Sequence, residues 1–142
     1  MMSKYTLGLV DWPEEEAALR HIRQTVFIDE QRVPEELEWD GLDNECVHVL
    51  VRNGSDKPIA TARMTTDGHI GRMAVLSEHR RQGIGSAMLS LLIDHARKQG
   101  LKMVRLNAQV SVRDFYEKQE FHGLGAEFQD AGIPHIRMER EL

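Results

Sequence analysis

The sequence predicts an α+β domain: a mixed, mostly antiparallel central sheet with one parallel strand pair, flanked by helices. Three observations lead there. An apolar run (Ile70, Met73, Ala74, Val75, Leu76), a glycine turn, an amphipathic helix and a second apolar run at Met103–Ala108 follow one another. That succession is a strand–helix–strand unit, whose strands are parallel and whose crossover is right-handed. Upstream, Asn53-Gly54 and Asp67-Gly68 join shorter strand-like runs as hairpins. Downstream, Ala131-Gly132 separates two final runs that close the sheet as an antiparallel pair.

Taken in order, Tyr5–Val10 alternates weakly and suits a first strand. Asp11-Trp12-Pro13 and three glutamates make a helix start, with proline early and acids in the first turn. Leu19, Ile22 and Val26 share a helical face, so this helix is expected to run to about Phe27. An acidic segment follows, interrupted by Pro34, with a short helix expected around Glu35–Trp39. Val47–Arg52 and Ile59–Thr65 are the next strands, and a third follows Asp67-Gly68. The helix Ser86–Gln99 and the residues just before it present Ile84, Met88, Leu91, Leu92 and Ala96 on one face, and Gly100 is a natural stop. Ser111-x-x-Asp114 resembles a capping box and is expected to open a short helix through Gln119. Phe121–Gln129 and Ile133–Glu141 complete the order.

Composition narrows the class. The chain has 142 residues, enough for one core without staples, and is read as a single domain over residues 1–142. No apolar run approaches the roughly 18 residues of a membrane span, and Met-Met-Ser-Lys-Tyr lacks a hydrophobic leader core. The single cysteine, Cys46, excludes an internal disulfide and a multi-cysteine zinc site. Scattered histidines without ligand spacing argue against a metal. A cytoplasmic protein is the expectation. The net charge of −5 is uneven: Asp29–Glu45 carries eight acids and one base, leaving the remainder at +2. No basic stripe interleaved with aromatics appears, which disfavours nucleic acid.

The most informative segment is Arg80-Arg81-Gln82-Gly83-Ile84-Gly85. Two glycines two apart permit a tight turn and close approach of a ligand to the backbone. A helix follows at once, so unpaired N–H groups and the positive end of its dipole face outward beside two arginines. This is an anion-binding turn. It lacks the Lys-Ser/Thr of a Walker loop, and Met88 stands where a dinucleotide fingerprint needs a small residue.

Arg-x-x-Gly-x-Gly resembles the pyrophosphate-binding signature of the GNAT superfamily of acyl-CoA-dependent N-acyltransferases. The order of elements is similar to that fold over nearly the whole chain. Phe115-Tyr116-Glu117-Lys118-x-x-Phe121 resembles a second superfamily segment. Val26-Phe27-Ile28-Asp29-Glu30-Gln31-x-Val33-Pro34, Glu38-x-Asp40 and Asp43 are similar to the ElaA-like subgroup, as are Leu106-x-Ala108-Gln109 and Ala131-Gly132-Ile133-Pro134-His135-x-x-Met138. One departure stands out. Glu120 occupies the place of the family's glycine before Phe121, and glutamate is strained there if the turn needs a positive φ.

The resemblance implies a GNAT fold whose fourth and fifth strands splay apart to admit the pantetheine arm of acetyl-CoA, used as co-substrate. Backbone groups of Met73, Ala74 and Val75 would pair with its amides, as in strand addition. Arg80, Arg81, Gln82, Gly83, Ile84, Gly85 and Ser86 would hold the pyrophosphate, and the Asn107 amide would meet the arm. A Val75 N–H is placed to stabilise the oxyanion, and Tyr116 to protonate the departing thiolate. The general base is open among Glu38, Asp40, Asp43, Glu45, His48 and His135, with His48 and Glu38 preferred and a water relay as another route. The implied activity is acetyl transfer to a small amine or peptide amine in a ternary complex. A non-catalytic acyl-CoA-binding sensor or interaction module on the same fold is the alternative. Exposed sheet edges leave a homodimer open.

Overall fold

The computed structural model describes residues 4–142; the reading of Met1–Ser3 as part of a leaderless start lies outside the described residues. Seven strands form one sheet in the order β1-β2-β3-β4-β5-β7-β6. They are β1 (Tyr5–Val10), β2 (Val47–Asn53), β3 (Pro58–Met64), β4 (His69–Val75), β5 (Met103–Gln109), β6 (His122–Asp130) and β7 (Ile133–Glu141). Every neighbouring pair is antiparallel except β4–β5. Helix α1 (Trp12–Arg23) covers one face, with Trp12, Leu19 and Ile22 packed on Leu50 and Ala74. Helix α3 (Ile84–Lys98) covers the other, with Met88, Leu89, Leu92 and Ala96 buried over Val49, Ala62 and Val104. Short α2 (Glu35–Glu38) and α4 (Arg113–Lys118) lie in the connections.

Local departures from expectation have local causes. Regular α-helix ends at Arg23, and the chain continues as wide π-helical turns from Gln24 to Glu30 rather than stopping near Phe27. At the first hairpin the left-handed residue is Asp56 rather than Gly54. Asn53 Oδ1 accepts the Ser55 and Lys57 N–H groups and shapes a longer loop. The capping box at Ser111 does not form: Val112 precedes α4 and no side chain caps it.

Helices α3 and α4 end in the same motif. After α3, Gly100 (φ +81) lets Leu101 N–H reach Ala96 O while Gly100 N–H reaches Arg97 O. After α4, Phe121 N–H reaches Tyr116 O and Glu120 N–H reaches Glu117 O. Both are Schellman closures, which require a left-handed residue. Glu120 supplies it at φ +69 despite its Cβ. Arg140 offsets part of the strain, meeting the Glu120 carboxylate at 3.2 Å and donating to Gln119 O.

The acidic segment is anchored from below by arginines distant in sequence. Arg23, 1 % exposed, donates through Nε to Glu38 Oε2 at 2.7 Å and through Nη1 to Asp43 Oδ1 at 2.6 Å. Its guanidinium lies near the Trp12 and Trp39 rings. Arg63 of β3 bridges Asp43 at 2.9 Å and forks onto Asp40, and Arg72 of β4 reaches Asp40 Oδ2 at 3.2 Å. Three arginines thus neutralise three acids.

Two predictions follow from these features. Glu120→Gly relieves left-handed strain and raises stability by about 0.5–1 kcal/mol, the lost exposed ion pair being worth less, read as a higher urea midpoint. Burial raises the Asp40 carboxyl, but hydrogen bonds from Arg63 and the Leu42 N–H, with the Arg63 and Arg72 charges, bring it down to about 2. A carboxyl lowered by folding stabilises the fold above its unfolded value and loses that contribution as pH falls. Asp40 is partly exposed, so solvent screens its ion pairs. Asp40→Asn therefore costs about 1 kcal/mol at pH 7, and the gap from the parent protein closes between about pH 4 and pH 2 in urea melts across pH.

Candidate functional site

Parallel pairing between β4 and β5 is confined to His69↔Arg105 and Ile70↔Leu106. Beyond those residues the strands part. The cause lies on the opposite edge of β4. Thr61↔Ala74 is followed by Arg63↔Gly71, so β4 carries an extra residue there, and Arg72 takes φ +51. Such a bulge bends its strand. The resulting cleft encloses about 1000 Å³. Met73, Ala74 and Val75 line it, with Leu106 and Asn107 facing them from β5. Leu76 N–H bonds to Ile59 O across β3. Antiparallel alternation therefore turns the peptide groups of Val75 to the open side.

Beyond the C-terminal end of β4 the chain makes the tight glycine turn that leads into α3. Arg81 (φ +64) and Gly83 (φ +80) are both left-handed, and Gly83 O accepts the Ala87 N–H to begin α3. Among the described residues, the N–H groups from Arg81 to Ser86 have no hydrogen-bond partner in the chain. A Cβ on Gly83 would meet nothing within 4 Å, so that glycine answers to backbone geometry; one on Gly85 would sit 3.4 Å from the Phe115 ring. Arg80 does not reach into the turn. Its fork grips Glu30 at 2.7 and 2.8 Å and its Nε donates to Val75 O. Both partners of that pair are substantially exposed, so it is worth at most about 1 kcal/mol and yields readily to a multivalent anion. Gln82 is exposed and stands outside the cleft lining.

Facing the turn from β5, α4 brings Tyr116 to the cleft, where its Oη donates to Met73 Sδ at 3.4 Å across the gap between the strands. Phe115 and Phe121 meet its ring edge-on, and burial pushes its phenol up to about 12. Gln109 Nε2 donates to Gln31 Oε1, linking β5 to the segment after α1.

The base candidates separate cleanly. Glu38, Asp40 and His135 line the cleft; Asp43, Glu45 and His48 do not. His48 was expected in this site and is placed elsewhere. The alternation of β2 turns it beneath α1, 1 % exposed, with its ring 5.3 Å from Trp12 and Nε2 bonded to Asp43 O. Burial holds it below its ordinary value, so it stays neutral. Glu38 is buried at the wall of the cleft. Burial pushes its carboxyl up, outweighing the pull of Arg72 and Arg23. Its Oε2 takes both arginines, Arg23 at 2.7 Å and Arg72 at 3.3 Å, and no hydrogen bond engages Oε1 among the described residues. The acidic segment is thus not the free anionic surface its composition suggests. Cys46 is buried with its thiol pushed up, as desolvation requires.

Arg63 and Arg72, both on the cleft wall, are absent from the sequence reading. The available signal was Gly71, since an isolated glycine within a strand marks a bulge. Among the described residues no group of three or more metal-ligating side chains converges, and no helix is long and apolar enough to cross a membrane.

Comparison with known proteins agrees with this geometry. A family profile described as the acetyltransferase (GNAT) domain matches residues 11–142. The uncharacterized N-acetyltransferase YjcF of Bacillus subtilis is 38% identical over 125 residues, 85% of this chain and 89% of that protein. The crystal structure of Escherichia coli ElaA superposes with a TM-score of 0.86 at 26% identity, covering 97% of this chain and 100% of the other. An acyl-CoA N-acyltransferase from Pseudomonas aeruginosa gives 0.82 at 27% identity, covering 97% and 99%.

Proposed function

The chain belongs to the GNAT acetyltransferase family, and from that premise we propose that it transfers an acetyl group from acetyl-CoA to a primary amine by direct attack in a ternary complex. The observation that carries this reading is the run of unpartnered N–H groups from Arg81 to Ser86 at the end of the unpaired edge of β4. An anion site joined to a free strand edge fits a ligand with a diphosphate at one end and an amide-bearing arm beyond it. The pyrophosphate takes the turn, with Arg81 beside it and Arg80 released from Glu30. The pantetheine amides pair along Met73–Val75, and Asn107 meets the arm from β5.

The arm then runs along β4 toward the bulge, which brings the thioester between the strand and Tyr116. Glu38 takes a proton from the acceptor ammonium through its unengaged Oε1, directly or by way of water. The freed nitrogen lone pair attacks the thioester carbon, and the carbonyl oxygen gathers charge facing the Val75 N–H. As the tetrahedral species collapses, the nitrogen gives its second proton to solvent water, the C–N bond remains and the C–S bond breaks with its electron pair on sulfur. Tyr116 Oη, which lies against the sulfur of Met73, donates the proton that makes the free thiol and recovers one from solvent. The balance is acetyl-CoA plus ammonium giving amide, CoA thiol and one proton. A buried carboxylate raised above its ordinary value suits the base, and a phenol that stays protonated suits the acid. One buried, unpaired cysteine accords with a cytoplasmic setting.

Two variants test the reading. Gly83→Glu places a strained backbone and a negative charge in the turn and weakens acetyl-CoA binding by at least about 100-fold in titration calorimetry. Gly83→Ala carries the backbone penalty without the charge and loses far less; equal affinity in all three proteins would refute the site. Tyr116→Phe lowers kcat by about 10- to 100-fold with acetyl-CoA affinity nearly intact, followed by release of CoA thiol. Unchanged turnover removes Tyr116 from the proton transfer.

A further inference from the structure

On the cleft wall, Arg72 carries the one buried side-chain nitrogen or oxygen that lacks a hydrogen-bond partner among the described residues. It sits at the bulge of β4 in a left-handed conformation. There its Nη2 donates to Leu37 O, Glu38 O and Asp40 Oδ2 at 3.1, 3.1 and 3.2 Å. Its Nε is buried and has no hydrogen bond of acceptable geometry among the described residues, the nearest anion being Glu38 Oε2 at 3.3 Å. Its Nη1 has no partner among them at all, in a side chain that lines the cleft and keeps 25% of its surface exposed. A buried or half-buried guanidinium ordinarily uses its whole fork. Beside it, Glu38 leaves Oε1 unengaged. One unused cationic donor and one unused anionic acceptor therefore stand on adjacent side chains of the same wall.

We propose that Arg72 and Glu38 together read the head group of an α-amino acid, Arg72 taking the carboxylate through Nη1 and Glu38 the ammonium through Oε1. This deepens the transferase reading and rests on it: the product is an N-acetyl amino acid, formed by the balance given above. The two charges of an α-amino acid lie on neighbouring atoms, as these two groups do. A purely cationic amine gains little here, because Arg23, Arg63 and Arg72 already neutralise Glu38, Asp40 and Asp43, and placing it would leave Nη1 unpaired. A carboxylate supplies the partner the fork lacks, a charge-assisted bond of the stronger kind. Leu37 and Leu42, apolar, exposed and on the same wall, offer a surface for an apolar side chain.

The test compares L-phenylalanine with L-phenylalaninamide as acceptors for the unmodified protein, with acetyl-CoA saturating and CoA thiol release as the readout. The amide's ammonium is the more acidic, so intrinsic reactivity at neutral pH favours the amide. The proposal expects the opposite, a kcat/KM for the free acid at least about tenfold higher, the worth of one charge-assisted hydrogen bond. Equal or better use of the amide overturns it while leaving the transferase reading in place. Binding of acetyl-CoA with transfer to neither of them, nor to a panel of simple amines, overturns the transferase reading as well. Arg72→Met adds a second arm. It lowers the acid-to-amide ratio of kcat/KM at least about tenfold, over and above the loss both acceptors share when Glu38 and Asp40 lose a partner. A merely structural arginine would shift both acceptors alike, and that result counts against the proposal. Should the variant fold poorly, the comparison of acid with amide in the parent protein decides alone.

Discussion

Strands in a sheet gain by pairing along their full length, and β4 forgoes this on one side after Ile70. The parallel ladder to β5 stops there, and the extra residue at Arg72 bends β4 away from its neighbour. Peptide groups that a closed sheet would bury in its own ladder are left facing a cleft. An unpaired strand edge invites another extended chain. Here the edge is recessed between β4 and β5 and opens onto the cleft. The unpartnered N–H groups at Arg81–Ser86, Tyr116 reaching across to Met73, and the position of Arg72 all take their meaning from that parting.

The second constraint is electrostatic. A segment with eight acids and one base repels itself unless cations come to it. Arg23 from α1, Arg63 from β3 and Arg72 from β4 converge on Glu38, Asp40 and Asp43. Buried ion pairs of this kind add little net stability compared with apolar packing, because desolvation offsets their attraction. What they impose is geometry. Removing one partner strands the others, so the acidic segment holds one position over the open side of β4. It thereby forms a wall of the cleft rather than a solvated loop, and the charge it presents is set by which polar atoms remain unpaired.

Much of the fold was legible because local chemistry and tertiary placement agree. Asp67-Gly68, Gly100 and Ala131-Gly132 all lie in turns that need left-handed backbone. The face Ile84, Met88, Leu92 and Ala96 packs as its spacing says. Glu120 was legible as a conflict, and it is one: the Schellman closure after α4 demands the conformation that glutamate resists. Ser111 shows the reverse case, a local signal overruled when β5 runs on through a tight turn into α4.

The sequence by itself determined the element order, the tight glycine turn before α3 and the helix that carries Tyr116, since each is written in contiguous residues whose backbone demands are intrinsic. It also determined that an acidic stretch exists. Which acids meet solvent, which histidine sits under a helix and which arginine keeps a free donor were decided only by the tertiary structure. These outcomes depend on contacts between residues far apart in the chain. Arg23 lies 20 positions from Asp43, and Arg72 lies 34 from Glu38. His48 and Glu38 looked equivalent as letters. Strand alternation turned His48 beneath α1, and the arginine network held Glu38 at the cleft wall, because burial and pairing are properties of the packed molecule and not of the residue.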